Sequence, residues 1–180
     1  GYGASAQDMG RYETEAKNVD ALAYALPFFL PFWAAGNEQD SLTTYGGYQS
    51  VTFNSVAKNI LTIGAVNDAV LAGVRAPSAG TMTTFSSWGP CDDGRIKPDV
   101  AGLGTNVFSC ISPNSYGLKT GTSMSCPGVA GVLAQLYDAY RQTHSGQDPH
   151  GGLMKAILMN TADDLGQPGP DFIHGYGRVN

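Results

Sequence analysis

A serine at the start of a predicted helix is the residue of this sequence best suited to nucleophilic chemistry. Ser123 follows Gly121 and Thr122 and leads into an apolar stretch, in which Pro127 stands early enough to be tolerated. The N–H groups of a first helical turn are unpaired, and the positive end of the helix dipole stabilises an oxyanion forming nearby. Serine is also a common helix cap. The segment alone therefore fits either a nucleophile or a cap.

An asparagine behind a predicted buried strand is the second candidate for chemistry. Asn37 follows Gly36 directly after the apolar run of residues 28–35. Ligands of α/β sheets bind beyond the carboxyl ends of the strands, where an asparagine amide can donate a hydrogen bond. Asparagine is equally common in ordinary turns, and taken alone this residue is better explained in that way.

The elements that must position these residues follow an alternating pattern. Apolar runs without alternation predict buried parallel strands, and apolar residues at helical spacing predict helices. The predicted strands are residues 28–35, 59–66 and 106–111, the predicted helices are 12–26, 124–140 and 153–160, and loops cover 67–83, 86–99 and most of 166–180. The helix at 124–140 is predicted to be buried. We expect one α/β unit over residues 1–180, with a largely parallel central sheet flanked by helices.

Composition and charge argue against two classes of protein, those that bind nucleic acids and those that span a membrane. The 180 residues carry a net charge of -5, which argues against a nucleic-acid-binding surface. No stretch reaches the roughly 18 apolar residues that a membrane span needs. The three cysteines, Cys91, Cys110 and Cys126, are either small buried hydrophobic residues or a Cys91–Cys110 disulfide with one free thiol.

Several segments in fixed order resemble the subtilisin-like serine proteases, the subtilases. The pairing of AAGNE at 34–38 with GTSMSCPGVAG at 121–131 is the most specific part of the resemblance. The intervening and following segments are KNILTIGAV, FSSWGP, DGRIKPDV, LMKAILMNTADDLG and the closing GYGRVN. The resemblance therefore covers nearly the whole chain and implies a subtilisin-like fold.

The resemblance implies a role for each matched residue. Ser123 would be the nucleophile of an endopeptidase that cleaves peptide bonds through an acyl-enzyme, and Asn37 would donate to the oxyanion together with the backbone N–H of Ser123. The remaining matched positions would line the substrate site: Gly3, Ala34, Ala35, Gly36, Gly121 and Thr122. Small side chains there would admit a sizeable substrate residue.

The catalytic base and its partner are not found where the family has them. Subtilases carry their triad in the order Asp, His, Ser, yet His144, His150 and His174 all follow Ser123. The order Ser, Asp, His of α/β-hydrolases needs a Gly-x-Ser-x-Gly elbow, and the second residue after the nucleophile here is Ser125. We therefore expect that the N-terminal part of the catalytic domain, with its Asp and His, precedes residue 1. The 180 residues alone should be inactive, and should partner that missing part or self-associate.

The sequence also departs from the family pattern. Gly128 stands where the family usually has a packing histidine, and residues 102–104 read Gly-Leu-Gly in place of Ala-Pro-Gly. We expect a local rearrangement and an altered sheet edge. The family also implies export, to the medium or the cell envelope, and structural calcium in many members, although no acidic calcium loop is evident here. No cofactor is expected for the chemistry. The alternative function is a subtilase-like pseudoenzyme that serves as a binding or assembly module.

Overall fold

The computed structural model describes residues 8–41, 44–76 and 79–180. The helices are α1 (Thr14–Ala25), α2 (Thr122–Thr143) and α3 (Gly151–Asn160). The strands are β1 (Phe32–Ala34), β2 (Leu61–Val66), β3 (Val70–Leu71), β4 (Val74–Arg75), β5 (Val100–Leu103), β6 (Val107–Ile111) and β7 (Ser115–Lys119). Short 3₁₀ turns cover Thr44–Gly47 and Phe53–Val56. No helix of the described ranges is long and apolar enough to cross a bilayer.

A parallel sheet of three strands in the order β1-β2-β5 forms the centre of the fold. Ile63 of β2 lies opposite Ala34 on one side and Val100 on the other. All six residues of β2 are buried, as the unbroken apolar run of residues 59–66 predicts. The α/β prediction with a parallel sheet is therefore confirmed.

The two C-terminal helices cover one face of this sheet. Leu61 and Ile63 of β2 pack in one cluster with Val129 and Leu133 of α2 and Met154 of α3. On α2 only Thr122, Ser125, Val129 and Leu133 are buried, at the spacing of a single helix face. The expectation of a wholly buried helix is therefore wrong for this structure. A Cβ added at Gly128 or at Gly131 would meet no atom outside the backbone of α2 within 4 Å.

A second cluster forms around α1. Ala16 of this helix packs with Val51, Val56 and Ile60, and the buried carboxylate of Asp20 accepts hydrogen bonds from the Tyr12 hydroxyl at 2.7 Å and from the backbone N–H groups of residues 58 and 59. The helix periodicity of residues 12–26 is confirmed by Thr14–Ala25. The pattern did not predict a carboxylate on the buried face, which is tolerated because its oxygens are hydrogen-bonded.

Two strand predictions need correction. Residues 106–111 form no buried parallel strand: β6 pairs antiparallel with β7, and Phe108, Tyr116 and Leu118 are exposed. Within residues 28–35 only Phe32–Ala34 is strand, it pairs with β2 alone, and Trp33 is exposed. An apolar run indicates that a segment can be covered on both faces, and the covering must come from other parts of the molecule.

Further differences concern single positions. Pro127 is the sixth residue of α2 rather than part of its first turn, so its missing N–H leaves the carbonyl of Ser123 without its usual helical donor. The loop predicted at 86–99 ends in β5, where Gly102 packs so closely on α2 that an added Cβ would lie 2.7 Å from Val129 Cγ2. The glycine at this departure from the family pattern thus allows the close approach of α2 to the sheet.

A buried ion pair connects β2 to the start of β5. The Lys97 ammonium, 2% exposed, donates to Asp99 Oδ2 at 2.7 Å and to the Thr62 hydroxyl at 2.9 Å. The Lys155 ammonium of α3 lies 2.8 Å from Asp99 Oδ1. Burial opposes ionisation of Asp99, but the two ammonium groups outweigh it and lower the pKa of the carboxyl. Burial lowers the pKa of Lys97.

All three cysteines are free thiols, so the Cys91–Cys110 disulfide is not formed. Cys91 is buried and burial raises its pKa to about 11, while burial also raises the pKa of Cys126. Cys110 lies exposed on β6, because this strand belongs to the hairpin rather than to the sheet. The alternative of three small buried residues thus holds for Cys91 alone.

Candidate active site

The Asn37 turn, defined here as residues 36–38, begins where β1 leaves the sheet. Ala35 still donates its N–H to Ile63 O at 2.9 Å, and Gly36 then turns the chain with a φ of +117°. A Cβ on Gly36 would lie 2.7 Å from Ser87 Oγ, so glycine is required both by conformation and by space. The turn leaves Asn37 exposed at the carboxyl edge of the sheet.

The start of α2 is brought to the same edge by two glycines after β5. Gly104 donates to Val66 O at 3.0 Å and accepts from the Gly121 N–H at 2.8 Å. Gly121 precedes the helix with a φ of +151°, a region that side chains disfavour. The first turn of α2 therefore lies over the ends of β2 and β5 and beside the Asn37 turn.

Direct contacts join the two segments. The Asn37 amide oxygen Oδ1 accepts from the Thr122 N–H at 2.9 Å and from the Thr122 hydroxyl at 3.0 Å. Two donors on Oδ1 fix the orientation of the amide, so its Nδ2 hydrogens point away from Thr122 and remain available. Ser123, the next residue, is exposed. The structure thus brings together the two residues that the sequence singled out.

The two serines in the first turn of α2 have different environments. Ser125 is buried and its hydroxyl donates to Gly64 O at 2.7 Å, which holds the helix on β2. The Ser123 side chain and backbone N–H have no hydrogen-bond partner among the described residues. An exposed hydroxyl and a free N–H at the positive end of a 22-residue helix form a surface at which negative charge is stabilised.

The predicted substrate-site residues differ in accessibility. Ala34 and Gly36 are half-buried, while Gly121 and Thr122 are buried, and Thr122 Oγ1 is also within 3.3 Å of Gly36 O. Ala35 is fully buried in the cluster around α1. Gly3 lies outside the described residues. A cavity of about 640 Å³ lies between α3 and the C-terminal loop and includes none of these positions.

None of the histidines lies at Ser123. His144 ends α2, roughly 30 Å along a helix of 22 residues, and its ring stacks on Tyr140 with centroids 3.8 Å apart. His150 caps α3 by accepting from the Gly152 N–H at 3.1 Å, and His174 pairs with Asp171 at 3.1 Å. Within the described ranges the exposed serine therefore has no histidine to act as its base.

Several acidic side chains of the described residues are paired with cations or with a side-chain amide. Asp163 Oδ2 contacts both Arg75 and Arg178 at 2.6 Å, Asp93 pairs with Arg95 at 2.9 Å, and Asp92 accepts from Gln49 at 3.3 Å. No group of three or more histidine, cysteine or acidic side chains suited to a metal occurs in these parts of the chain.

Sequence reasoning missed how the Asn37 amide is oriented and what holds its turn. Thr122 was assigned to the substrate site, yet its N–H and hydroxyl both contact Asn37. Ser87 donates its N–H to Gly36 O at 3.0 Å and accepts from the Glu38 N–H at 3.3 Å. The only available signal was the FSSWGP segment, which the resemblance included without a role.

Sequence comparisons with known proteins identify one family and several relatives. The sequence model of the Subtilase family matches residues 2–177. A C5a peptidase of Streptococcus pyogenes is 34% identical over 163 residues, which is 88% of this chain and 12% of that protein. The serine protease AprX of Bacillus subtilis is 31% identical over 146 residues, 73% of this chain and 31% of that protein. The chain thus spans less than a third of the length of these relatives.

Solved structures show the same fold at lower identity. The prenylagaramide maturation protease PagA superposes with a TM-score of 0.70 at 21% identity, covering 96% of this chain and 55% of that one. The protease domain of PatA gives a TM-score of 0.71 at 20% identity, with 96% and 52% covered. At this identity the likeness concerns the fold alone.

Proposed function

The chain belongs to the subtilase family, whose members are serine hydrolases, and on that premise we propose that it carries the nucleophile and the oxyanion-binding groups of a serine endopeptidase. Its substrates are peptides or proteins. Ser123 is the nucleophile, and the Asn37 Nδ2 hydrogens and the Ser123 N–H donate to the oxyanion. The matched residues around them bind the substrate backbone.

The observation that carries this proposal is the pairing of Thr122 with Asn37. Both hydrogen bonds go to Oδ1, at 2.9 and 3.0 Å, so the nitrogen end of the amide is the free one. Had Nδ2 faced Thr122, the residue would present an acceptor to the substrate carbonyl and repel the growing negative charge. This orientation supports the proposal, because a tetrahedral intermediate would need a donor at this position.

The reaction follows from these groups. Ser123 Oγ forms a bond to the scissile carbonyl carbon while its proton passes to a general base, and the carbonyl oxygen gains charge between Asn37 and the Ser123 N–H. Collapse of this intermediate expels the protonated amine and leaves an acyl-enzyme, which water then hydrolyses. No step uses a metal or a cofactor.

The base is a histidine supplied from outside these 180 residues, with an aspartate that orients it. His144, His150 and His174 all have local partners and lie away from Ser123. A serine hydroxyl without its base is a weak nucleophile at neutral pH, and so the chain by itself is inactive. The exposed face of α2 and the free edge of β1 are covered by the part of the catalytic domain that carries the histidine, or by a second copy of the chain. The complete protease acts outside the cell or in its envelope.

The test is active-site labelling of the full-length protein with a fluorophosphonate probe. We expect stoichiometric labelling that Ser123→Ala abolishes, while Ser115→Ala, which removes another exposed hydroxyl, leaves it intact. The isolated 180 residues should not be labelled. A full-length protein that folds and yet stays unlabelled would make the chain a pseudoenzyme that serves in binding or assembly.

A further inference from the structure

We propose that Ser87 is a positioning residue for the oxyanion-binding amide of Asn37, an inference that rests on the function proposed above. Ser87 belongs to the FSSWGP segment and is fully buried. It does not reach the reacting atoms. Its role is to hold the backbone of the Asn37 turn in a fixed position relative to the first turn of α2.

The FSSWGP segment forms hydrogen bonds with the residues on both sides of Asn37. Ser87 donates its N–H to the carbonyl of Gly36 at 3.0 Å, and its hydroxyl oxygen accepts from the N–H of Glu38 at 3.3 Å. One residue further, Gln39 donates to Phe85 O at 3.2 Å. Because the residues before and after Asn37 are anchored to the same short segment, the backbone from which its amide projects cannot tilt freely.

The turn is held from the opposite side by α2. Thr122 contacts Asn37 Oδ1 and lies within 3.3 Å of Gly36 O. The peptide oxygen of Gly36 accepts from the Ser87 N–H, and the single hydroxyl hydrogen of Thr122 lies between this oxygen at 3.3 Å and Asn37 Oδ1 at 3.0 Å. An oxyanion donor is effective only within about 2.7–3.1 Å of the developing charge, so a small tilt of this turn weakens it. Ser87 fixes the backbone and Thr122 fixes the side-chain amide.

The neighbouring serine provides a matched control. Ser86 is also fully buried, and its hydroxyl oxygen also accepts a backbone N–H, that of Ala65 in β2 at 3.0 Å. It makes no hydrogen bond to the Asn37 turn. Ser86→Ala removes the acceptor of a buried N–H and Ser87→Ala that of a partly buried one, so Ser86→Ala should lose at least as much stability, while only Ser87→Ala should affect the chemistry.

The experiment is a double-mutant cycle in the full-length protease with a peptide substrate. Ser87→Ala should lower kcat about fivefold, equivalent to about 1 kcal/mol, with KM changed less than twofold. In an Asn37→Ala background the same substitution should leave kcat unchanged, because the amide that it positions is already gone. Ser86→Ala should leave kcat within twofold of wild type in both backgrounds.

Three outcomes would overturn the inference: an unchanged kcat in Ser87→Ala, a fivefold loss that persists without the Asn37 amide, or an equal loss in Ser86→Ala. Thermal unfolding gives the midpoint temperature of each variant. Kinetics are then measured below the lowest of these temperatures, so that loss of folded protein is not mistaken for loss of rate. If wild-type protease is active and Ser87→Ala is normal, only the positioning role fails. If the wild type is neither active nor labelled, the proposed function itself fails.

Discussion

Asn37 shows how one side chain depends on its neighbours for its chemistry. An asparagine amide offers both an acceptor and two donors, and only the donor end can bind an oxyanion. Here the two hydrogen bonds from Thr122 occupy the acceptor at 2.9 and 3.0 Å. Glu38 turns back and accepts the Asn37 N–H at 2.7 Å, which leaves the side-chain nitrogen as the free donor of this residue.

Replacing Asn37 by alanine tests the assigned donor directly. In the full-length protease we expect kcat to fall about 10²–10³-fold with little change in KM, a magnitude that comes from the corresponding asparagine of subtilisin. The loss should fall on kcat because the hydrogen bond strengthens only as charge develops. Steady-state kinetics on a peptide substrate measure both constants.

A matched asparagine controls for the loss of an exposed amide. Asn67 also has a hydrogen-bonded side-chain amide, which donates to Thr81 Oγ1 at 3.0 Å rather than to the Asn37 turn. Asn67→Ala should leave kcat unchanged. A loss in Asn37→Ala no larger than in Asn67→Ala would contradict the assigned role.

The three thiols make a second prediction at the residue scale. Thiolate is the reactive form, and burial raises the pKa of Cys91 to about 11 and also raises the pKa of Cys126. A maleimide at pH 7.5 should therefore label Cys110 first in the native chain and leave Cys91 unmodified, as read by peptide mass spectrometry. Cys110→Ser should remove the fast phase, and unfolding should expose all remaining thiols. Fast labelling of Cys91 in the native chain would count against its burial.

At the scale of elements, sequence patterns identified the helices and the central strand but not their surroundings. Residues 59–66 form the buried β2 because every residue there suits a strand covered on both faces. The same pattern at 106–111 gave a hairpin strand, since pairing partners are decided by the rest of the chain. β5 was missed because its four residues, Val100–Leu103, follow the polar residues 97–99, whose charges are satisfied by a buried ion pair.

That ion pair predicts how stability depends on pH. The pKa of Asp99 is lowered in the folded chain, so the unfolded state binds more protons in the acid range. Its contribution is present above the ordinary carboxylate value near pH 4 and is lost as the pH falls through the lower folded value. Urea unfolding of wild type should therefore show a steep loss of stability below about pH 4.

Asp99→Asn separates this pair from other carboxylates. The variant leaves two lysine ammonium groups without a buried counter-charge and should lose about 3–5 kcal/mol at neutral pH. If it remains folded, its pH dependence below pH 4 should be shallower than that of wild type. Asp148→Asn removes an exposed ion pair with Arg141 and should change the free energy of unfolding by less than about 1 kcal/mol. Equal losses in the free energy of unfolding for the two substitutions would contradict the stabilising role of the buried ion pair.

At the scale of the whole molecule, the outer edge of β1 in the described sheet and one face of α2 are left uncovered. β1 pairs with β2 and has a free edge, and the apolar side chains Trp33 and Val132 are exposed. Free strand edges and exposed apolar faces favour association with another chain. The proposed function needs a histidine base that His144, His150 and His174 do not supply, so we propose that the covering part is the remainder of the catalytic domain.

Gly131 on the open face of α2 provides the test of this covering. No atom outside the backbone of α2 lies within 4 Å of a Cβ built there, so in the 180 residues alone Gly131→Ala should raise stability by about 0.5–1 kcal/mol through helix propensity. Gly131→Leu should likewise be accepted by the isolated chain. In the full-length protein a leucine at this position should collide with the covering part and reduce both stability and fluorophosphonate labelling. Ala139→Leu, near the end of the same helix, controls for added apolar surface.

Sedimentation of the isolated chain tests the same covering independently. It should show self-association that is lost when the remainder of the domain is added as a separate chain. If instead the isolated chain stays monomeric and full-length Gly131→Leu behaves like wild type, the open face of α2 is a solvent face, and the residues that complete the triad must approach Ser123 from elsewhere.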